Sequence, residues 1–312
     1  MEFEKWHALG NDYVIVEAKE LPFELTPARI QAICASHTGV AADGILLLSE
    51  PDQDGYVARL RIFNPDGSEA ELSGNGAREA VLYLRRRGWT DADSFAIETA
   101  AGDIRPTILS ETRCAVDMGQ ARRVSAGYPS GGADGRGELV AGGRTWSFQH
   151  VQVGNPQCAI RVADEAELSA LDLETIGPEI EHHELFPNRT NVSWFAEVSD
   201  SDPAGPGGGC RIRARIFERG VGETTASGTG ATGAAVAYVL DERSSPEAAT
   251  ADESSSEAAT ADKSSYVTVV LDGGELDVEV SADLNIKLTG WAVPVYRGAL
   301  AEAFLEELHA TQ

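Results

Sequence analysis

Lysine is scarce in this chain. Of the 25 basic residues among 312, only Lys5, Lys19, Lys263 and Lys287 are lysines, and the other 21 are arginines. Pyridoxal chemistry needs a lysine for its Schiff base. Lys263 falls in a low-complexity stretch and the other three stand beside no motif, so a reaction without any cofactor is expected. Cysteine is scarce too: Cys34, Cys114, Cys158 and Cys210 form no Cys-x-x-Cys pair, which predicts buried free thiols rather than a disulfide framework. Among six histidines, the His182-His183 pair has no partner at ligand spacing, so no metal site is expected. No run of about eighteen apolar residues occurs, which argues against a membrane span. The opening MEFEKWHALG lacks the zones of a secretory leader, and a cytoplasmic protein is expected.

Positive charge as a whole is in deficit. Fifty acidic residues face 25 basic ones, giving a net charge of −25 and a pI near 4.5. Such a field repels nucleic acid and anionic membranes. The carboxylates are spread along the chain rather than gathered in a tail. This pattern fits a halophilic protein living in molar salt, where a Debye length of about 3 Å screens self-repulsion.

What is present is a duplication. Residues 59–77, RLRIFNPDGSEAELSGNGA, align without a gap on residues 213–231, RARIFERGVGETTASGTGA, with nine of nineteen positions identical at an offset of 154. Each copy reads as strand, turn, serine, Gly-x-Gly loop and helix. One reading is an old duplication kept for packing. The other is a pair of equivalent loops acting on one ligand from opposite sides, which suits a reaction that treats both faces of one carbon alike.

The length favours two domains. Strands are expected at 3–18, 44–49, 57–64, 94–99, 103–109 and 112–117, with helices at 27–36 and 74–87. Thr26-Pro27 supplies a cap and a first-turn proline for the first helix. The Gly-rich stretch 130–143 reads as a loop or hairpin. Strands are again expected at 147–153, 158–163, 191–197, 211–218, 266–271, 275–280 and 286–290, with a helical or irregular region at 165–181. The helix at 228–240, GTGATGAAVAYVL, is apolar on nearly all sides and should be buried. Within the insert 244–265, SSPEAATADE is followed at once by SSSEAATADK, a tandem repeat without core-forming residues and so expected as a solvated excursion.

Gly-x-Gly loops that open helices offer backbone N–H groups and a positive dipole end to an anion. Gly74-Asn75-Gly76 and Gly228-Thr229-Gly230 are two such loops. GTGATG also matches the dinucleotide fingerprint, but the first copy has Glu79 at the third glycine position and the strand-to-loop spacing is long. Asn11 and Asn155 each follow a glycine, while Asn64 and Glu218 hold the same place in the two copies. Asparagine in a turn commonly bonds its own backbone; together with Arg219, these side chains also suit the ammonium and carboxylate groups of an amino acid.

HALGNDY, GVAADG, RIFNPDGSEAELSGNGAR, GNPQ, HHELFPNRTNVSW, FERGVGETTASGTGA and GWAVPVYRG, in that order, resemble the diaminopimelate epimerase family. The resemblance runs through almost the whole chain outside the insert. It implies an α+β fold of two pseudo-symmetric domains, each a β-barrel-like sheet around a central helix, with the active site in the cleft between them. The expected halves are 1–117 with the tail 297–312, and 118–296 carrying the insert. It further implies a homodimer needing neither pyridoxal phosphate nor metal, which interconverts LL- and meso-2,6-diaminopimelate in lysine biosynthesis.

By position, the family's substrate-binding residues fall on Asn11, Asn64, Gly74, Asn75, Asn155, Asn191, Glu218, Arg219, Gly228 and Thr229. The family's two catalytic cysteines, one on each face of the α-carbon, are Ser73 and Ser227 here. Its thiol-tuning histidine is Gln157, whereas Glu218 is retained as a candidate to take a serine proton. An alcohol is a far weaker acid than a thiol. The resemblance therefore implies an epimerase using Ser73, Ser227 and Glu218. The alternatives are a non-catalytic binder of diamino dicarboxylic acids and an isomerase of the same superfamily with another amino acid substrate.

Overall fold

The computed structural model describes residues 1–70, 73–100, 102–198, 209–244 and 264–311. Most of the insert 244–265 and of the loop 199–209 therefore lies outside the described residues. In chain order the elements are β1 (Glu2–Ala8), β2 (Asn11–Glu17), α1 (Pro27–Cys34), β3 (Ile45–Ser49), β4 (Ala58–Phe63), β5 (Glu69–Ala70), α2 (Gly74–Arg86), β6 (Ile97–Thr99), β7 (Gly102–Ile104), β8 (Pro106–Ser110) and β9 (Arg113–Gln120). They continue with β10 (Arg136–Ala141), β11 (Arg144–Val153), β12 (Asn155–Arg161), α3 (Glu165–Ala170), α4 (Leu173–Glu181), β13 (Asn191–Glu197), β14 (Cys210–Glu218) and β15 (Gly222–Thr224). The chain ends with α5 (Gly228–Arg243), β16 (Ser265–Leu271), β17 (Gly274–Val280), β18 (Asn285–Trp291), β19 (Val293–Ala299) and α6 (Glu302–Ala310). The chain divides into two compact units, Met1–Asp117 with Thr289–Gln312, and Met118–Leu288.

In the first unit the strand order is β19-β1-β2-β3-β4-β6-β7. Pairing is antiparallel at β19–β1 and β1–β2, parallel at β2–β3, antiparallel at β3–β4, parallel at β4–β6 and antiparallel at β6–β7. In the second unit the order begins β10-β11-β12-β13-β14-β16-β17, with the same succession of directions, and continues into β18. The short strands β5 and β15 pair with β4 and β14 in the same way. The pseudo-symmetry implied by the duplicated segment thus extends over seven successive strands and one short side strand of each sheet; the second sheet has further strands without a counterpart in the first.

Each sheet carries its serine-capped helix on one face. In the first unit, Val14, Val16, Ile45 and Leu47 pack with Ile30 and Ile33 of α1 and Leu308 of α6. Strand alternation sends Tyr13, Ile15 and Leu46 to the opposite face, where α2 lies. In the second unit, Cys158, Ile160, Val192 and Trp194 pack with Leu168, Leu173 and Ile180 of α3 and α4. Gln157, Ala159 and Ser193 point the other way, towards α5; Ser193 Oγ donates to the Gly230 carbonyl at 3.2 Å. Every residue of α5 from Gly228 to Val239 is buried, as its all-round apolar sequence requires.

The structure corrects several boundaries. Residues 3–18 are not one strand: Leu9 and Gly10, at φ of +56° and +90°, form a two-residue turn between β1 and β2. Two positive φ values match the right-handed twist of a hairpin, and the apolar residues on both sides hid the break. Of the open alternatives, 130–143 is the hairpin, with β10 pairing antiparallel to β11 across Gly142-Gly143, and 165–181 is helical, as two helices capped by Asp164 and Asp172. Strand β19 and helix α6 were not anticipated.

Candidate active site

In each unit the duplicated serine is the N-cap of the buried helix. Ser73 has extended φ/ψ of −128°/121°, and its Oγ accepts a hydrogen bond from Gly76 N at 3.1 Å. Ser227, at −138°/122°, accepts from Gly230 N at 3.2 Å. A serine side chain is suited to this role because its oxygen satisfies an N–H of the first helical turn. The second glycine of each loop lies against the sheet. A Cβ on Gly76 would stand 3.0 Å from Leu46 Cδ2, and one on Gly230 would stand 2.7 Å from Ile216 Cδ1. A side chain at Gly230 would force Ile216 aside, and one at Gly76 would press on the end of Leu46, so both loops sit close on their sheets.

The surroundings of the two serines differ. Ser227 Oγ donates to Glu218 Oε2 at 2.9 Å, and Thr224 Oγ1 donates to the other oxygen, Oε1, at 2.8 Å. Burial raises the Glu218 carboxyl above the ordinary range, partly offset by those two hydrogen bonds. Asn64 holds the corresponding position in the first unit but does not bond Ser73. Its Nδ2 donates to Ser68 Oγ at 2.9 Å, within the turn that also joins Asn64 N to Ser68 O. The group that bonds Ser73 is Tyr13, whose hydroxyl donates to Ser73 Oγ at 3.2 Å. Tyr13 was not among the residues that sequence reasoning selected, although it closes the motif HALGNDY.

Asn11 opens β2 after the Leu9-Gly10 turn, and Asn155 opens β12 after Gly154 at φ +70°. Asn11 Nδ2 donates to Asp43 Oδ2 at 2.9 Å, and its Oδ1 accepts from Asn75 Nδ2 at 3.2 Å. Arg78, fully buried, donates to Asn75 Oδ1 at 2.6 Å and to the Gly74 carbonyl at 2.9 Å. Arg78 thus fixes the loop from below; burial lowers its guanidinium to about 10, so it stays charged near neutrality. Beside it, burial pushes the Glu79 carboxyl well up despite the attraction of Arg78.

In the second unit Gln157 is fully buried and donates to Asn155 Oδ1. It orients the asparagine and makes no hydrogen bond to Ser227. Asn191 Oδ1 accepts from Arg219 N at 2.7 Å, while its buried Nδ2 has no protein acceptor among the described residues. The Arg219 side chain is exposed, and its Nη1 donates to the Asn188 carbonyl at 3.0 Å. Glu181, at the end of α4, underlies this loop through Gly220 N and Arg189; no sequence signal singled it out. The first unit thus gathers Asn11, Ser73, Gly74 and Asn75 around one helix start, with Asn64 in a neighbouring turn. The second gathers Glu218, Ser227, Gly228 and Thr229, with Asn155–Gln157 and Asn191–Arg219 as two further joined pairs. Among the described residues no three His, Cys, Asp or Glu side chains group to hold a metal ion, and no helix is long and apolar enough to cross a membrane.

A family model described as diaminopimelate epimerase matches residues 3–124 and 149–295. A diaminopimelate epimerase of Synechococcus sp. (strain JA-3-3Ab) is 38% identical over 310 residues, covering 97% of this chain and 99% of that protein. One of Moorella thermoacetica is 36% identical over 308 residues, covering 96% and 98%. Among solved structures, a hydroxyproline epimerase of Agrobacterium vitis with bound trans-4-hydroxy-L-proline superposes with a TM-score of 0.61 at 14% identity, covering 96% of this chain and 91% of that one. A PhzF-family phenazine biosynthesis protein of Bacillus anthracis gives 0.62 at 16% identity, covering 96% and 99%. At such identities these two structures speak for a shared fold alone.

Proposed function

The chain belongs to the diaminopimelate epimerase family, and from that premise we propose that it interconverts LL- and meso-2,6-diaminopimelate without a cofactor, by proton transfer at the α-carbon. The observation that carries the reading is the hydrogen bond from Ser227 to Glu218 at the mouth of a Gly-x-Gly helix, in a loop whose duplicate presents Ser73. A serine alone is a weak base; a carboxylate that takes its proton makes it a stronger one. Ser227 with Glu218 acts on one face of the α-carbon and Ser73 on the other. The helix starts at Gly74-Asn75 and Gly228-Thr229 hold the α-carboxylate, since backbone N–H groups there favour an anion. Asn11, Asn64, Asn155, Asn191 and Arg219 hold the remaining polar groups and select a substrate with two amino acid ends. On this reading the protein serves lysine biosynthesis in the cytoplasm, as a homodimer adapted to high salt.

Proton NMR of diaminopimelate with the purified protein in D₂O tests the proposal. The α-proton signal should decay as deuterium enters, and each stereoisomer should yield the other. Having serine at both cysteine positions is the observation that favours a second reading, a non-catalytic binder. Calorimetric binding of diaminopimelate with no deuterium uptake would establish it.

A further inference from the structure

The two serines are wired with opposite hydrogen-bond polarity. Ser227 gives its proton to a hydrogen bond, towards the Glu218 carboxylate, and accepts one from Gly230 N. Ser73 accepts two hydrogen bonds, from Gly76 N and from the Tyr13 hydroxyl. Between two hydroxyls the phenol is the better donor, because it is the stronger acid. Among the described residues those two bonds leave the Ser73 proton without an acceptor. The Tyr13 ring is also held in place: it is 5% exposed, and a Cβ on Gly44 would come within 2.7 Å of its Cε1.

Resting on the epimerase reading above, we propose that Tyr13 is a positioning residue that stabilises the Ser73 alkoxide as Ser73 delivers its proton, so that the resting protein is set with Ser227 as base and Ser73 as acid. In this direction the Cα–H bond breaks on the Ser227 side. Its proton passes to Ser227 Oγ as the Ser227 proton moves to Glu218 Oε2, and the electron pair stays on the substrate, spread into its carboxylate. On the other face the Ser73 O–H bond breaks, its proton forms the new Cα–H bond, and the pair remains on Ser73 Oγ. The donors Tyr13 O–H and Gly76 N–H hold that charge, as preorganised donors hold an oxyanion. Solvent then reprotonates Ser73 and takes the proton from Glu218, so protons balance over the cycle. Asn64, which stands where Glu218 does in the other copy, is turned to Ser68 and has no part in this.

Tyr13→Phe removes only the hydroxyl and keeps the ring that packs on Gly44. It should lower kcat for epimerisation by about 10²-fold, the scale of one lost oxyanion donor, with KM and the calorimetric affinity for diaminopimelate unchanged. Deuterium should still enter one stereoisomer without inversion, since Ser227 and Glu218 remain. In the Ser73→Cys background the same change should cost no more than a few-fold, because a thiolate forms near neutral pH without the added donor. An unchanged kcat in Tyr13→Phe overturns the role of Tyr13 while leaving the epimerase reading standing. An equal loss in both backgrounds also overturns it, by showing a packing effect. A parental protein that binds diaminopimelate but exchanges no α-proton overturns both readings together.

Discussion

The buried carboxylate of Glu181 accepts a hydrogen bond from the backbone N–H of Gly220 at 2.8 Å. The same oxygen accepts from Arg189 Nη1 at 3.1 Å. Glu181 therefore ties the Arg219-Gly220 turn to the segment that carries Asn188 and Asn191. Glu181→Ala removes the acceptor of the exposed Gly220 N–H and the partner of Arg189, which should cost about 1 kcal/mol of stability, the net worth of a typical hydrogen bond. Affinity for diaminopimelate should fall as the turn loosens. Thermal unfolding and calorimetry check both; unchanged values in each would remove Glu181 from the account of the loop.

Arg219 itself should matter for binding more than for folding. Its side chain is exposed and, among the described residues, makes one hydrogen bond, to the Asn188 carbonyl. Arg219→Ala should weaken diaminopimelate binding by about 2 kcal/mol, as for a lost charge-assisted hydrogen bond, with little effect on melting temperature. An unaltered dissociation constant would show that the guanidinium holds no substrate carboxylate.

The serines should separate chemistry from affinity. Ser227→Ala or Ser73→Ala should reduce inversion by about 10²-fold or more, the usual worth of a positioned acid or base, while binding is nearly retained through backbone N–H groups. Exchanging both serines for cysteine should raise the rate, because a thiolate is accessible near neutral pH. Parental rates in the double alanine variant would exclude both residues from the reaction.

His150 gives a pH signature of folding. It is fully buried, its Nε2 lies 2.9 Å from Ser125 Oγ, and burial pushes its pKa down to about 4 from 6.5. Between pH 6.5 and 4 the unfolded chain binds the imidazole proton and the folded one does not, so the His150 contribution rises with pH and is lost as pH falls through that window. Buried Glu79 works in the opposite sense, since its raised carboxyl favours the folded state at low pH. The comparison is therefore between parent and His150→Gln. Relative to that variant, the parent should lose melting temperature from pH 6.5 to pH 4; parallel curves would contradict the shift.

Salt should stabilise the fold. With a net charge of −25, unscreened self-repulsion opposes compaction. Melting temperature should rise between about 0.1 M and about 2 M KCl as the Debye length shrinks. Equal temperatures would detach the acidic composition from any salt requirement.

The α+β plan was legible through the ordered motifs that carry the family resemblance, and the duplicated segment added one repeated unit of strand, cap and helix start. Boundaries were less so. The Leu9-Gly10 hairpin hides inside a run whose neighbours are apolar on both sides, and the choice between hairpin and loop at 130–143 stayed open because the buried face of β10 needs only Leu139 and Ala141. For the site, sequence spacing finds groups that are close along the chain or repeated at a fixed offset, as Ser73, Ser227 and their loops are. It does not find partners made by sheet pairing. Tyr13 is 60 residues from Ser73, and Glu181 is 39 from Gly220. Arg78 lay inside a quoted motif, yet nothing in its spacing said that its side chain folds back under Asn75.

The two copies of the buried helix have diverged past exchange. A Cβ on Gly233 would stand 2.9 Å from both Cβ and Cγ of Gln157, nearer than real side chains pack. The first copy carries Glu79 at that register, buried and accommodated. Copying the α5 sequence into the first half would leave a hole there, which a protein tolerates at some loss of stability. Copying α2 into the second half would drive a carboxylate into Gln157. Copying α5 into the first half would also put threonine in place of Arg78 and release the Gly74-Asn75 loop, so the two buried helices are no longer interchangeable in either direction.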